Sequence, residues 1–441
     1  MPRRPTLRYI EFMSAAGGAL RTTFSSTFSS LRHRNFRLFF IGQSISNSGN
    51  WLTNVALTLL VLKLTSTGVG VGLLAACQFG PMLLLSAWGG ALADRSDKRR
   101  MLLVTQSLEM AQSISLAVLA FMPHPPLAWL YALAAVGGIL LSVDNPLRRS
   151  FVTEMVPTED IPNAVVLYST IVNLSRIFGP SLAGLLVVTV GYGWCFTIDA
   201  ASYVAVIACL IMMRADELNR HPVAGSTRGA VREGLRYIRS VPSLRISFMM
   251  LAAVSLLAYN FNVTLPLFVT RGLHAGEGSF TMLYSILSCG SVVSALFVAH
   301  RNLVSMRDIV RGVALFGVSL LLLAGVPGVK TAIPVVFMVG GASVLYMTGT
   351  TTIVQMESRR DMHGRVLALQ TVFLGGSAAL GGPLLGWIAD TVGARALMVL
   401  GGLACLSSAA FGAVATTSST LSSPQPVLAS GAQIVDDDPK P

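Results

Sequence analysis

The stretch GGALADRSDKRR, from Gly89 to Arg100, lies between two long apolar runs. The runs cover 69–93 and 101–122, and each is long enough to cross a bilayer as a helix, which takes about 20 residues. The stretch itself is short and basic, and Lys and Arg accumulate in cytoplasmic loops. It therefore predicts a helical hairpin that crosses a membrane twice, with its turn in the cytoplasm.

The composition of the whole chain agrees with a membrane location. Its 441 residues are 53% hydrophobic and 12% charged, with a mean hydropathy of +0.66. Soluble domains carry roughly 25% charged residues, so a soluble chain of this length would lack the charges for its surface. The net charge of +12 does not indicate nucleic-acid binding, because the basic residues are spread over short loops.

Twelve candidate spans follow one another along the chain, numbered here 1 to 12. Their apolar runs are long and unbroken, unlike the alternating ten-residue segments of a barrel, so the predicted class is an all-α membrane protein. The spans are 36–63, 69–93, 101–122, 126–144, 164–190, 194–213, 244–269, 279–300, 309–326, 333–352, 366–390 and 394–417.

The basic residues alternate with loop parity. Of the 32 Lys and Arg residues, 27 lie in the two tails or in loops after even-numbered spans. Four lie in loops after odd-numbered spans, when residues near the span ends are counted with the adjacent tail or loop, and Arg176 alone lies deep inside a predicted span. The count predicts that both termini are cytoplasmic.

The two halves of the chain repeat three short patterns. NVALTLLV at Asn54 returns as NVTLPLFV at Asn262, VGG at Val136 returns at Val339, and GPSLAGLLVVTVG at Gly179 returns as GPLLGWIADTVG at Gly382. Duplicated halves around a central pathway are common in secondary transporters. The predicted layout is a basic tail 1–34, a six-helix bundle 35–213, a linker 214–243 with an amphipathic helix, a second, pseudo-symmetric six-helix bundle 244–417 and a disordered tail 418–441.

The opening stretch resembles the loop signature between helices 2 and 3 of the major facilitator superfamily. Asp97 replaces the second glycine of that signature, while the other positions match at Gly90, Leu92, Ala93, Asp94 and Arg95, with Lys98 and Arg99 at its basic positions. The alternative is a solvated loop that follows the positive-inside rule, but this does not explain Asp94.

The resemblance implies a gate on the cytoplasmic side. Asp94 would dock on the start of span 11, near Gly364 and Arg365, where helix amides favour negative charge. This contact would hold the two halves shut. Lys98 or Arg99 is then expected to reach Asp144, near the inner end of span 4.

Span 5 carries Gly179 and Pro180 followed by Gly184, which resembles the antiporter signature of the superfamily and implies export. Ordinary helix packing is the alternative. Four further stretches resemble the bacterial branch that contains the enterobactin exporter and macrolide-efflux proteins. They are NPLRRSFVTEMVP (145–157), FTIDAASY (196–203), HGRVLAL (363–369) and GGPLLGWIADTVG (381–393).

Two polar stripes are candidates for a substrate cavity. Span 1 carries Gln43, Asn47, Asn50 and Asn54 on one helical face, and span 7 carries Tyr259 and Asn262. Amides that face lipid would lack partners, so both stripes should face protein or water. The resemblance implies that they face each other across a central cavity, and hydrogen bonding between helices is the alternative.

Ionisable residues inside the spans are candidates for energy coupling. Arg176 in span 5 would cost about 3 kcal/mol at mid-membrane, so it is expected to pair with Asp199 of span 6 or Glu109 of span 3. Protonation of that acid would break the pair and could couple proton entry to a change in packing. A purely structural ion pair is the alternative.

The sequence predicts a transporter and no enzyme. It has no P-loop, no metal-ligand spacing among its five cysteines and no cofactor motif. The favoured function is export of a drug-like or siderophore-like amphiphile across a bacterial inner membrane, by alternating access and proton antiport, in a monomer. A metabolite importer and a non-transporting sensor or scaffold are the alternatives.

We expect reporter fusions at residues 225 and 430 to give a cytoplasmic signal, because both positions lie on the side that holds most of the basic residues. Alkaline phosphatase and green fluorescent protein fusions measure this directly. A periplasmic signal at either position would contradict the helix count.

Overall fold

The computed structural model describes residues 28–219, 230–300, 305–359 and 362–418. These residues form fourteen α-helices, and no strand is found among them. The helices are α1 Arg34–Thr65, α2 Gly68–Arg95, α3 Lys98–Ala120, α4 Leu127–Glu154, α5 Ile161–Thr189, α6 Tyr192–Ile211, α7 Ala230–Ser240, α8 Pro242–Leu257, α9 Phe261–Leu267, α10 Glu277–His300, α11 Met306–Gly325, α12 Val329–Glu357, α13 His363–Thr391 and α14 Ala394–Ser418.

Ten helical segments in this part of the chain are long and apolar enough to cross a membrane. One of them, Pro242–Gly272, joins α8 and α9 to the π-helical turn Phe268–Gly272. α1 and α5 are not among the ten, although they have 32 and 29 residues. The chain is therefore a multi-pass helical membrane protein.

The predicted end of span 4 at residue 144 was wrong. α4 continues to Glu154, through Pro146 and two arginines. The sequence suggested a loop there because proline and charged residues usually end a membrane helix. The helix continues because Arg148 is buried among polar partners on neighbouring helices.

Helices α1 to α6 pack mainly on one another, as do α8 to α14. The two groups meet along two seams, where α2 packs on α13 and α5 packs on α10. Glycines make the first seam close, because a Cβ added at Gly386 would meet the backbone of Gly68 and Val69. Small residues let membrane helices approach in this way.

Each of the repeated VGG patterns packs a glycine on a neighbouring helix, its third residue in the first half and its second residue in the second half. A Cβ added at Gly138 of α4 would meet the carbonyl of Gln78 on α2. One added at Gly340 of α12 would meet the carbonyl of Leu287 on α10. Span 4 thus packs on span 2, as span 10 packs on span 8.

The seam between α2 and α13 is closed at the predicted outer end by Asp390. Its carboxylate accepts hydrogen bonds from the backbone amides of Gly68 and Val69, at 2.7 and 2.9 Å. Arg271 pairs with the same carboxylate at 2.5 Å. A negative charge at the start of α2 is favoured by the helix dipole, so Asp390 fastens the two halves together at this end.

We expect Gly386→Ala to lower the free energy of unfolding by about 1–3 kcal/mol. The added methyl group would clash with backbone atoms of α2, which cannot move away as a flexible side chain could. Thermal unfolding of the purified protein in detergent measures this. Gly364→Ala on the same helix is the matched control, since its methyl group meets nothing within 4 Å. Equal melting temperatures for the two variants would contradict the close contact.

Candidate functional site

Arg148 of α4 forms the centre of a buried polar network. It is 3% exposed and pairs with Asp144, one helical turn earlier, and with Glu109 of α3 at 3.2 Å. Its guanidinium also donates to the side-chain oxygen of Gln43 on α1, at 2.8 Å. A single cation thus connects three helices.

Helix α3 holds the two carboxylates in place from the other side. Gln106 donates to Glu109 at 3.0 Å and to Asp144 at 2.9 Å. The hydroxyl of Thr105 donates to Asp144 at 2.9 Å. Asp144 is therefore bound more tightly than Glu109, because it has the arginine of its own helix and two donors from α3.

Asp199 of α6 is the third buried acid. The hydroxyls of Thr53 on α1 and Ser113 on α3 both donate to its Oδ2 atom at 2.7 Å. Among the described residues, no basic side chain forms an ion pair with it. Its described donors are both neutral.

The described part of this network contains more acid than base. Glu109, Asp144 and Asp199 are buried near one another, with Arg148 as their described cation. An unpaired charge in a low-dielectric interior costs several kcal/mol. Among the described residues, one guanidinium is shared by two of the three buried carboxyl groups.

A cavity of about 90 Å³ reaches two of these acids. Glu109 and Asp199 line it, together with Asn50, Asn54 and Gln112. A water molecule occupies about 30 Å³ of liquid volume and needs two to four polar partners, so this polar space can hold water. Glu109 and Asp199 lie at this polar space, whereas Asp144 does not line it.

A larger cavity of about 390 Å³ lies between α2, α4 and α13. Its walls are mostly apolar, with Met82, Leu83 and Leu369 among them. It extends to the start of α13 and to Val231 of α7, at the predicted cytoplasmic end. Leu141 of α4 lines both cavities, so the two spaces are neighbours on one helix.

The polar stripe of α1 finds its partners inside the first half. Gln43 accepts from Arg148, and Asn47 donates to the Gln43 carbonyl at 2.9 Å. Asn50 accepts from Tyr203 at 2.8 Å, and Asn54 lines the smaller cavity. We expected this stripe to face its counterpart on span 7 across the middle of the protein. Instead, its side chains contact residues of the first half.

The span 7 stripe likewise contacts its own half. Tyr284 of α10 donates to Asn262 at 3.1 Å, and Tyr259 donates to the Ser343 carbonyl of α12 at 3.4 Å. Helical periodicity identified the polar faces of both stripes, but it could not identify the neighbouring helix.

The predicted gating residues have different partners from those expected. Lys98 pairs with Glu154 at 2.5 Å, and Arg99 donates to the backbone carbonyls of Leu210 and Ile211. Neither basic residue pairs with Asp144, which is bound to Arg148 instead. The partners differ from those expected because α4 continues past residue 144. The added turns place Arg148 beside Asp144 and Glu154 beside Lys98.

The remaining gating residues lie at the ends of α2 and α13. Arg95 is exposed, and a Cβ at Gly90 would meet nothing within 4 Å. The Asp94 side chain lies outside the described residues. Arg365 pairs with Glu233 of α7 at 2.7 Å, which ties the linker helix to α13.

The glycines of the span 5 motif lie at helix contacts. A Cβ at Gly179 would meet Trp51 of α1, and one at Gly184 would meet Thr281 of α10. Pro180 is buried beside them. The Arg176 side chain lies outside the described residues, so its predicted pairing with Asp199 or Glu109 stays a prediction.

Sequence reasoning missed Arg148 and Asp390. Arg148 was assigned to a loop, although Asp144 and Arg148 have the four-residue spacing of a helical ion pair. Asp390 was assigned to the end of a span without a role. The start of span 2 could have been considered as a binding site for its carboxylate, since the N-terminus of a helix favours acidic groups.

Comparison with known proteins identifies the family. Residues 25–427 match a family model described as transmembrane secretion effector. The staphyloferrin A transporter of Staphylococcus aureus is 25% identical over 291 residues, which cover 64% of this chain and 73% of the relative. The enterobactin exporter of Salmonella paratyphi A is 25% identical over 367 residues, which cover 80% and 85%.

Solved structures share the fold. A bacterial homologue of the human lysosomal transporter Spinster, in an inward-facing and occupied conformation, superposes with a TM-score of 0.69 at 13% identity. The match covers 87% of this chain and 96% of that one.

We expect Arg148→Met to destabilise the protein by about 3–5 kcal/mol, because it leaves buried carboxyl groups without their described cation. Thermal unfolding of the purified protein at neutral pH measures this. Adding Asp144→Asn and Glu109→Gln to the same variant should restore most of the loss.

Arg214→Met serves as the control, since Arg214 forms an exposed ion pair with Glu217 and should matter little. If Arg148→Met and Arg214→Met unfold at the same temperature, the buried network does not depend on Arg148.

Proposed function

The chain belongs to the transmembrane secretion effector family of the major facilitator superfamily, and on that basis we propose that it exports a small amphiphilic molecule in exchange for protons. Its relatives are transporters, and it is a transporter and not an enzyme. Export of a siderophore-like or drug-like molecule agrees with the enterobactin exporter among those relatives.

The proposed architecture has twelve spans in two six-helix bundles, with both termini in the cytoplasm of a monomer in the inner membrane. The two seams, α2 on α13 and α5 on α10, support this division. Alternating access then consists of the halves rocking about these seams. Gly184, at the second seam, allows α5 to lie close to α10.

The two ends of the α2–α13 seam differ, and this difference supports alternating access. Asp390 closes the predicted outer end, while the 390 Å³ cavity separates α2 from α13 toward the predicted cytoplasmic end. In the opposite state, Asp94 would dock near Gly364 and Arg365 to close the cytoplasmic side. Asp390 and Asp94 would then be alternating latches on the same pair of helices.

The observation that carries proton coupling is the single Arg148 guanidinium shared between two carboxylates. Asp144 is the more firmly held, whereas Glu109 lies at 3.2 Å and also lines the small cavity. Glu109 is therefore the proposed proton carrier. When it takes a proton its attraction for Arg148 is lost, and the guanidinium is left to Asp144. Asp199, on the same cavity, is the second candidate.

The larger cavity is the proposed substrate site. Its volume of about 390 Å³ lies within the range of drug-sized ligand pockets, roughly 300–1,000 Å³, and its apolar walls suit an amphiphile. Because Leu141 lines both cavities, substrate and proton would bind along the same face of α4, with the proton site before Leu141 and the substrate site after it.

We expect Glu109→Gln to abolish accumulation driven by a pH gradient while sparing substrate exchange. Without the carboxyl group the transporter can still change between its inward- and outward-facing states with substrate bound. It cannot couple that change to the proton gradient. Dye uptake into everted membrane vesicles, with and without a protonophore, measures the first activity. Exchange of dye across de-energised vesicles measures the second.

Gln112→Leu is the control, because Gln112 lines the same cavity and cannot titrate. If Glu109→Gln accumulates dye at the wild-type rate, and that rate still collapses with the protonophore, Glu109 is not the carrier. Loss of both activities would instead assign Glu109 a structural role.

A further inference from the structure

The larger cavity has a one-sided charge. Its lining contains two guanidinium groups, Arg149 and Arg365, and no carboxylate among the described residues. The other polar groups on its wall are neutral, with Asn145 and Thr371 among them. Among the lining residues that the structure describes, a cation in this space would meet no opposite charge.

The two arginines differ in what they contact. Arg365 is paired with Glu233 at 2.7 Å, which neutralises it. Arg149 is exposed, and it makes no hydrogen bond or ion pair with any residue in the described chain. Its neighbour Arg148 points elsewhere, into the buried network, because successive helix residues lie about 100° apart.

We propose that the substrate is an anionic amphiphile, whose acidic group binds Arg149 while its apolar body packs against Met82, Leu83 and Leu369. The proposal rests on the proposed export function and adds the charge of the substrate. A guanidinium presents five donors in a planar fork that matches a carboxylate, sulfonate or phosphate. The apolar walls beside Arg149 give the rest of an amphiphile a surface to pack against.

The charge of the substrate affects the energetics of export. A proton moving inward and an anion moving outward carry electrical charge in the same direction. A membrane potential that is negative inside therefore drives both movements. Exchange of a proton for a cation would gain nothing from the potential, since the two charges would cancel.

Equilibrium binding tests the proposal without requiring transport. The full chain is placed in phosphatidylcholine nanodiscs and titrated with fluorescein, an anion, or with a cationic rhodamine built on the same ring system. Fluorescence anisotropy gives the affinities. We expect fluorescein to bind at least about tenfold more tightly than the rhodamine, and Arg149→Gln to remove about tenfold of its affinity.

Arg149→Lys should retain part of the affinity, because it keeps the charge but lacks the planar fork. Arg236→Gln is the matched control, since it removes an exposed charge from α7 that does not line the cavity. Equal binding of the two dyes, or wild-type fluorescein affinity in Arg149→Gln, would overturn the proposal. So would loss of fluorescein binding when phosphatidylglycerol is added to the nanodiscs, because the site would then belong to lipid.

Vesicle transport separates this proposal from the proposed function. Fluorescein binding that depends on Arg149, without proton-driven uptake, would support the anion site and remove proton-driven export. Proton-driven uptake of the rhodamine in preference to fluorescein would support export and overturn the anion site.

Discussion

The guanidinium of Arg148 cannot reach bulk water, and the organisation of the first half follows from that constraint. A buried cation must be neutralised by the surrounding helices, so α1 supplies Gln43, α3 supplies Glu109 and α4 itself supplies Asp144. These contacts fix how α1, α3 and α4 face one another. They also leave one cation with two carboxylates, an arrangement that a single proton can rebalance.

The second half satisfies its buried polar groups differently. Tyr284 bonds to Asn262, and Gln370 bonds to Thr351 at 2.9 Å. Both pairs join uncharged side chains, so neither contributes a buried ion pair. Among the described residues, the buried carboxylates that pair with an arginine lie in the first half, while α13 of the second half supplies a wall of the larger cavity.

Most of the fold could be predicted from the sequence, because lipid requires long apolar helices and the basic loops alternate in parity. The burial of Glu109 and Asp199 followed from the same reasoning. The partners could not be predicted, because periodicity gives the polar face of a helix but not its neighbour. Arg148 was missed for a further reason: Pro146 and the adjacent arginines have the composition of a loop, and only tertiary pairing makes them helical.

Pro146 also has a mechanical consequence for α4. Proline has no backbone N–H, so the helix lacks the hydrogen bond from residue 146 to the Ser142 carbonyl, in the turn that overlaps the Asp144–Arg148 ion pair. A helix is easier to bend where a backbone bond is missing. Leu141 precedes this weak point and borders both cavities, while Arg148 and Arg149 follow it. Under the proposed mechanism, loss of the Glu109 charge releases one of the contacts that hold Arg148. Any bend at Pro146 must then move Arg149 as well, because the two arginines are consecutive residues. The proton site and the substrate site are in this way joined by covalent geometry, and no chain of intervening side chains is needed to connect them.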